Sequence, residues 1–347
     1  MFWLFLLSMY FVSPAEPTTP VIAADQPEEL GRVQWLRNYD EALAAAQASG
    51  KPVLILFQEI PGCATCRNYG NNVLGHPLIA EAIESLFVPL AIYNNKGGED
   101  AKILKRYNEP AWNNPVVRIV DKSGKDIIPR VSGSYSAWTL VQAMMQTLDL
   151  NGKVAPRYLE LLNEELSAEL RGVETATFSM YCFWTGEGHF GNTEGVVATQ
   201  PGFMEGHEVV QVTFDPKVVS YEKLVQEGKK ASCADGAYYH NASQQAVAHK
   251  ILGAKASAAK ENFRTDREPK YYLSKTHYRH VPMTPLQAAR ANALIGKRQS
   301  PEAVLSPRQI ATAAFIQKHP QKNWKSCIGK NFTTAWTRTE ALSTEKK

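Results

Sequence analysis

The first 150 residues alternate continuous apolar runs with amphipathic stretches. Ala-rich spacing predicts a helix over 36–50 that ends at a glycine, and the apolar run 52–57 then suits a strand buried on both faces. Later apolar runs predict two more strands, at 87–93 and at 116–120. A polar turn at 121–125 then predicts a fourth strand beyond it, and 138–148 predicts a closing helix. This order of elements predicts a mixed α/β domain over 25–150.

The rest of the chain predicts a second mixed domain behind a helical connector. A polar, Glu-rich stretch at 154–170 predicts a helix, and strict alternation predicts a strand over 208–214. A strand over 175–180 and a helix over 221–228 complete this part, and beyond about residue 250 the sequence is basic and mostly helical. We therefore expect the following divisions: a connector at 151–172, a second α/β domain at 173–250 and a helical extension at 251–347.

The N-terminus carries an apolar run at 2–12 that is too short to span a bilayer. Small residues follow it, as in a secretory signal peptide, which we assign to 1–24, although no Lys or Arg precedes the run. We expect an exported, periplasmic protein with no stable membrane span in its mature chain. If the segment is retained, membrane association is the expectation instead.

Charge and cysteine content exclude several classes of protein. The formal net charge is +4 over 347 residues and no Lys/Arg cluster stands out, so we expect no nucleic-acid partner. Five cysteines do not make a disulfide scaffold at this length, and their odd number leaves at least one thiol free in some state. We expect no cofactor.

A Cys-x-x-Cys motif follows the first predicted strand, with Cys63 and Cys66 on the first turn of a helix. Unpaired backbone N–H groups at a helix N-terminus favour a thiolate, and a second thiol one turn away can close a disulfide. A structural disulfide and half of a zinc site are the alternatives. Because no second cysteine or histidine pair has zinc spacing, we predict a redox dithiol and no metal site.

This first domain resembles exported thioredoxin-like domains, which implies a thioredoxin fold. The resemblance rests on the run 50–57 followed by the dithiol, and on Asn114-Pro115, which matches the family's cis-proline position at Pro115. The run Ile-Pro-Gly-Cys at 60–63 also resembles thioredoxin-like selenoproteins that carry Val-Pro-Gly-Sec-x-x-Thr. Cys63 stands at the selenocysteine position and Cys66 at the threonine position, so this chain can form an ordinary disulfide.

The second domain resembles the type A peptide methionine sulfoxide reductases. Its run Tyr-Cys-Phe-Trp at 181–184 is similar to the family's Gly-Cys-Phe-Trp, and 206–216 is similar to the strand that carries the family's glutamate. The resemblance implies a methionine sulfoxide reductase A-like α/β domain in which Cys182 attacks the sulfoxide sulfur and Glu208 protonates its oxygen. Phe183 and Trp184 would hold the substrate methyl group. The alternative is that these aromatic residues are ordinary core.

Several positions depart from this family. Tyr181 replaces the glycine before the cysteine, and Phe203 replaces a tyrosine, so one hydroxyl for the sulfoxide oxygen is lost. The family's later Asp and Tyr run has contracted to 232–236, so we expect Tyr238 or Tyr239 to replace the lost hydroxyl. These departures bear on rate and substrate more than on the type of reaction.

Attack by Cys182 would leave a sulfenic acid that a second thiol must resolve. Cys327, in a basic segment similar to the tail of many such reductases, and Cys233 are the candidates, and the Cys63/Cys66 dithiol would then reduce the disulfide. The predicted partners are methionine sulfoxide, free or in proteins, and an upstream thiol reductant. The alternatives are a thiol-disulfide oxidoreductase that acts on exported proteins and a non-enzymatic redox-sensing or binding module.

Overall fold

The first sheet carries the dithiol at the end of its central strand. The computed structural model describes residues 26–112 and 115–344. In the first part of that range, β1 (Val53–Gln58) lies between β2 (Val88–Tyr93), which is parallel to it, and β3 (Val116–Val120), which is antiparallel. Every residue of β1 is buried, as its continuous apolar sequence predicts.

Helices cover both faces of this sheet. Their bounds are α1 (Tyr39–Ser49), α2 (Ala64–Tyr69), α3 (Pro77–Leu86), α4 (Glu99–Arg106) and α5 (Ala137–Leu150), with a single π turn at Gly70–Leu74 after α2. Successive residues of β1 point to opposite faces, so Leu54 and Leu56 join one apolar cluster while Ile55 and Phe57 join the other. The predicted thioredoxin fold therefore has a core on each side of β1.

The predicted fourth strand of this sheet is wrong for the residues that the structure describes. Beyond the turn at 121–125 the chain pairs with β3 only through two isolated bridges, which join Val120 to Asp126 and Val117 to Val131. Pro129 lies between the bridges and has no backbone N–H to donate. A continuous ladder cannot pass through that position.

The second sheet is built after the connecting helix α6 (Arg157–Arg171). Its spatial order is β8-β7-β4-β6-β5-β9. The strands are β4 (Glu174–Ser179), β5 (Val196–Met204), β6 (His207–Phe214), β7 (Gly236–Tyr239), β8 (Ala256–Ala258) and β9 (Arg264–Thr265), and the helices between them are α7 (Phe183–Phe190), α8 (Tyr221–Lys230) and α9 (Ala242–Leu252). Phe178 of β4 stacks on Phe190 of α7 at the centre of this core.

Of the predicted helical extension at 251–347, residues 256–258 and 264–265 instead form the edge strands β8 and β9 of the second sheet, and the helices follow from residue 271. They are α10 (Tyr271–Ser274), α11 (Pro285–Gly296), α12 (Pro307–Lys318) and α13 (Phe332–Thr344). Capping boxes begin α11 at Thr284 and α12 at Ser306, and a proline follows each cap. These signals fix where both helices start.

This C-terminal part packs on both sheets. Phe332 and Trp336 of α13 belong to the apolar cluster on one face of the first sheet. The buried carboxylate of Glu81 on α3 accepts from the Ser306 hydroxyl and, at 2.8 Å, from the Arg308 N–H, so it caps α12. On the other side, Arg290 of α11 donates to carbonyl oxygens of the loop before β5 and of its first residue.

Two predictions on the N-terminal segment lie outside the described residues: the signal peptide at 1–24 and its cleavage. Among the helices in 26–112 and 115–344, none is long and apolar enough to cross a membrane.

Candidate active sites

Cys63 and Cys66 lie at the start of α2, directly beyond β1. Cys63 is the N-cap residue and is exposed, whereas Cys66 is fully buried, and their sulfur atoms are 3.6 Å apart as free thiols. Hydrogen bonding from the Cys66 backbone N–H, with smaller contributions from the Cys66 thiol and Thr65, lowers the pKa of Cys63. Burial raises the pKa of Cys66 to about 11. The pair therefore has one exposed nucleophile and one protected partner.

The loop before the dithiol is held tightly against α2. The Gly62 N–H donates to the buried Glu29 carboxylate at 2.6 Å, and Asn95 bonds the Ile60 N–H and the Pro61 carbonyl, each at 3.2 Å. A Cβ atom at position 62 would lie 2.6 Å from the Cys66 Cβ, so only glycine fits there. The glycine of Ile-Pro-Gly-Cys therefore permits the close approach of the loop to Cys66.

The dithiol also offers the elements of a metal site. Ligand atoms of Glu59, Cys63 and Cys66 lie within 4.8 Å of one another, the one such group found in 26–112 and 115–344. Two thiolates and a carboxylate are donors that zinc accepts. Because a disulfide would consume both thiolates, oxidation and metal binding exclude each other at this position.

The cis-proline prediction at Pro115 stays a prediction. Pro115 is buried directly before β3, but its peptide bond begins at Asn114, outside the described residues. The side chain of Trp112, just before that gap, is 82% exposed. A cis peptide bond is present at Ile60-Pro61, beside the dithiol.

Cys182 and Glu208 meet where β4 ends and α7 begins. Cys182 is the half-buried N-cap residue of α7, and the next residue, Phe183, donates its backbone N–H to the Glu208 carboxylate at 2.9 Å. Glu208 lies on β6, and its own backbone carbonyl accepts from the Met180 N–H at 3.2 Å. The structure thus brings together a thiol and a carboxyl group that are 26 residues apart in sequence.

Aromatic rings line this junction. The centre of the Phe183 ring is 5.6 Å from that of Trp184 and 5.3 Å from that of Phe203, which it meets edge-on. Phe203 lies on β5, directly opposite Glu208 of β6. The Arg264 guanidinium lies 4.7 Å above the Phe203 ring. These rings form an apolar wall beside a thiol and a carboxyl group, a combination suited to binding a small apolar group next to a polar bond.

Sequence reasoning missed two residues of this wall, both from the C-terminal part of the chain. Tyr271 of α10 stacks on Trp184 with ring centroids 3.9 Å apart and planes 13° apart. Asp266 accepts the Trp184 indole N–H at 3.2 Å. The aromatic run at 270–272 was the available signal, but its distance from Cys182 in sequence gave no indication that the two segments meet.

A buried ion pair fastens this segment to α7. The Lys270 ammonium donates to the Glu187 carboxylate at 2.8 Å and to the Thr199 carbonyl at 2.6 Å, and its backbone N–H donates to the other Glu187 oxygen at 2.8 Å. Glu187 is fully buried and the Lys270 side chain is 9% exposed. Because Lys270 directly precedes Tyr271, the pair fixes the ring that covers Trp184.

The remaining predicted substrate residues lie elsewhere on the second sheet or point outward. Tyr238 of β7 is buried in a small apolar cluster, where burial and the charge of Glu205 raise the pKa of its hydroxyl. The Tyr239 ring packs against His249 of α9 at 5.6 Å. Tyr181 is 94% exposed, so its side chain does not crowd the cysteine that follows it.

Both candidate resolving thiols are buried. Cys233 follows α8, and burial and the charge of Asp235 raise its pKa. Two residues further on, the Asp235 N–H donates to the Ser179 carbonyl at 2.9 Å, so this segment lies beside the end of β4, three residues before Cys182. Cys327 is not on a loose tail but in a turn between α12 and α13, where its thiol donates to the His280 carbonyl at 3.2 Å. Burial raises the pKa of Cys327 even though Arg338 lies 3.5 Å away.

Comparison with known proteins identifies both parts of the chain. A family model described as thioredoxin-like matches residues 34–122. A solution structure of a thioredoxin from Thermus thermophilus is 27% identical and covers 33% of this chain and 85% of its own, with a TM-score of 0.29.

The second part matches curated reductases. Peptide methionine sulfoxide reductase A2-2 of Oryza sativa subsp. japonica is 30% identical over 145 residues, which cover 32% of this chain and 76% of the rice protein. A peptide methionine sulfoxide reductase of Methanosarcina acetivorans is 42% identical over 71 residues, 16% of this chain and 38% of its own. Of the other curated reductases that the chain resembles, the archaeal one included, it spans only 33% to 54% of their length.

The dithiol at the end of β1, the cysteine–glutamate junction on the second sheet and these matches agree on a thiol-dependent oxidoreductase. The protein combines a thioredoxin-like domain with a second α/β domain, and through the latter the chain belongs to the peptide methionine sulfoxide reductase A family.

Proposed function

We propose that this protein reduces methionine-S-sulfoxide to methionine and draws its electrons through its own dithiol. One observation carries the proposal: the carboxylate of Glu208 binds the first backbone N–H of α7, the helix that Cys182 caps. On this proposal the Cys182 thiol serves as the soft nucleophile and the Glu208 carboxyl group as the acid, beside the Phe183 and Trp184 rings. Sulfoxide reduction needs this pair of groups, since one attacks sulfur while the other protonates oxygen.

In the first step the Cys182 sulfur attacks the sulfoxide sulfur. Glu208 gives a proton to the sulfoxide oxygen, which moves to Cys182 as a sulfenic acid while the product methionine leaves. The sulfoxide is reduced by two electrons and Cys182 is oxidised by two. The aromatic wall would hold the methyl group, and Asp266 and Tyr271 would keep Trp184 in place.

In the second step a thiol condenses with the sulfenic acid and releases water. The chain near Cys233 lies beside the chain near Cys182, since the Asp235 N–H donates to the Ser179 carbonyl at 2.9 Å, and this favours Cys233 for the role. Cys327 remains the second candidate. It lines a cavity of about 310 Å³ that is also lined by Lys270. Lys270 directly precedes Tyr271, whose ring stacks on Trp184.

In the last step the exposed Cys63 attacks the new disulfide, and Cys66 completes the exchange to leave an oxidised Cys63–Cys66 pair. An outside thiol reductant then restores it. The lowered pKa of Cys63 and the burial of Cys66 suit this order of attack.

The test is turnover of methionine-S-sulfoxide by the purified protein with dithiothreitol as the reductant. We expect activity toward the S epimer and none toward the R epimer, because one reductase family serves each epimer. Cys182→Ser should abolish the activity, while Tyr181→Phe, a change on the neighbouring exposed side chain, should keep it. Full activity in Cys182→Ser would refute the proposal and favour disulfide exchange on proteins as the function.

A further inference from the structure

A second cavity lies beside the C-terminal helices and has no lining residue in common with the aromatic wall. It has a volume of about 850 Å³ and lies between the segment 267–280 and the end of α12 with the turn that follows it. Its wall includes the side chains of Arg267, Lys275 and Arg279. The steps proposed for sulfoxide reduction use none of these residues.

The cavity carries excess positive charge. Glu268 is the one carboxylate among its lining residues, and it pairs with Lys275 at 3.0 Å. Across residues 26–112 and 115–344, no acidic group forms an ion pair with Arg267 or Arg279. The Arg279 guanidinium donates to the neutral His280 ring at 3.0 Å and to the Ser274 carbonyl at 3.5 Å, contacts that leave its charge uncompensated. Both arginines therefore keep a positive charge that can attract an outside anion.

Apolar surface accompanies these charges. Ile316 of α12, Trp324 and Ile328 line the same cavity, and the Trp324 indole N–H is already bound by the His319 carbonyl at 2.8 Å. Burial lowers the pKa of His277 and His280, so both rings are neutral at pH 7 and add no charge. A ligand with both carboxylates and apolar groups matches such a surface better than a small inorganic anion does.

The cavity neighbours the aromatic wall along the chain and in space, since the ammonium of its lining residue Lys275 lies 4.8 Å from the centre of the Tyr271 ring. Arg267 directly follows Asp266, the acceptor for Trp184, so their Cα atoms are about 3.8 Å apart. An extended peptide advances about 3.4 Å per residue. A peptide whose methionine sulfoxide lies against Trp184 can therefore place a side chain two or three positions away beside Arg267.

We infer that this cavity binds the acidic residues that flank methionine sulfoxide in a peptide or protein substrate. The inference rests on the proposed function and adds to it a substrate class: protein segments in which Asp or Glu lies within a few residues of the oxidised methionine. Charge complementarity favours acidic flanking residues, since basic ones would be repelled by Arg267 and Arg279.

The test compares peptides that differ only in flanking charge. One has two Asp residues on each side of methionine-S-sulfoxide and the other has Asn at the same positions, with dithiothreitol as the reductant. Two exposed ion pairs should favour the Asp peptide about threefold to thirtyfold in kcat/KM at low salt, and added salt should reduce that ratio. Equal values for the two peptides would overturn the inference and leave the proposed function standing.

Variants locate the effect. Arg267→Gln with Arg279→Gln should bring the Asp:Asn ratio close to one, whereas Lys230→Gln, a change of an exposed lysine at the end of α8, should keep it. A ratio unchanged in the double variant would refute this location.

A binding measurement separates the proposed reaction from the proposed role of the cavity. Fluorescence anisotropy with the same peptides carrying unoxidised methionine measures docking without chemistry. Tighter binding of the Asp peptide without turnover of its sulfoxide form would support the cavity and refute the proposed reaction. Equal, weak binding of both peptides would count against the cavity.

Discussion

Removing one partner of the buried pair Glu187–Lys270 should destabilise the second sheet far more than removing one partner of a surface pair of similar length. Lys270→Met removes the ammonium from the Glu187 carboxylate and the Thr199 carbonyl. The fully buried Glu187 carboxylate then keeps only the Lys270 backbone N–H and the weaker Thr199 hydroxyl contact at 3.3 Å. Breaking a buried pair in this way costs about 3–5 kcal/mol.

Urea denaturation followed by tryptophan fluorescence measures this cost. With a slope of about 3 kcal/mol per molar urea, the midpoint should fall by roughly 1–1.7 M. The matched control is Lys250→Met, which breaks an exposed pair with Glu222 at 3.0 Å, where the lysine is 71% exposed. That change should cost about 0–1 kcal/mol.

A second control separates the lost charge from the lost side chain. Glu187→Met combined with Lys270→Met replaces both partners by apolar groups and should recover most of the stability, because no unpaired charge remains. If Lys270→Met unfolds at the same urea concentration as Lys250→Met, the burial that supports this reasoning is wrong.

Three further changes test the two thiol sites. Glu208→Gln should keep the fold and slow sulfoxide turnover by roughly 10²-fold or more, and wild-type rates would show that its carboxyl group takes no part. Cys66→Ser should trap a Cys63 mixed disulfide after one turnover, and mass spectrometry of the non-reduced digest would identify the partner cysteine; absence of any such species under turnover would contradict electron delivery by the dithiol. Iodoacetamide should modify Cys63 first, at a pH below the ordinary thiol range, because the pKa of Cys63 is lowered. Cys66 should stay unmodified until the pH approaches about 11. Labelling of both cysteines at the same pH would refute this order.

The sequence was a good guide where local signals were sufficient. The apolar run at 52–57 predicted the buried strand β1, and the motif around Cys63 predicted its position at a helix start. The capping residues of α11 and α12 are equally local. In each case the neighbours of a residue in sequence decide its conformation.

What the sequence could not provide were contacts between distant segments. Nothing near Cys182 indicates that Tyr271 and Asp266 would complete its aromatic wall, because burial of Trp184 by partners 82 and 87 residues away leaves no periodic pattern. For the same reason the burial of Cys327 was missed: a basic, polar segment around it suggested an exposed tail.

The packing of α13 on the first sheet also bears on synthesis of the chain. The core that Phe332 and Trp336 complete contains strands β1 to β3, which are made more than 200 residues earlier, and the Ser306–Glu81 bond joins residues 225 positions apart. A chain emerging from the N-terminal end therefore exposes that apolar patch until α13 has been made. Contacts of such separation also slow folding, since a long loop must close before they form. The core of the first domain is therefore complete only after α13 has been made.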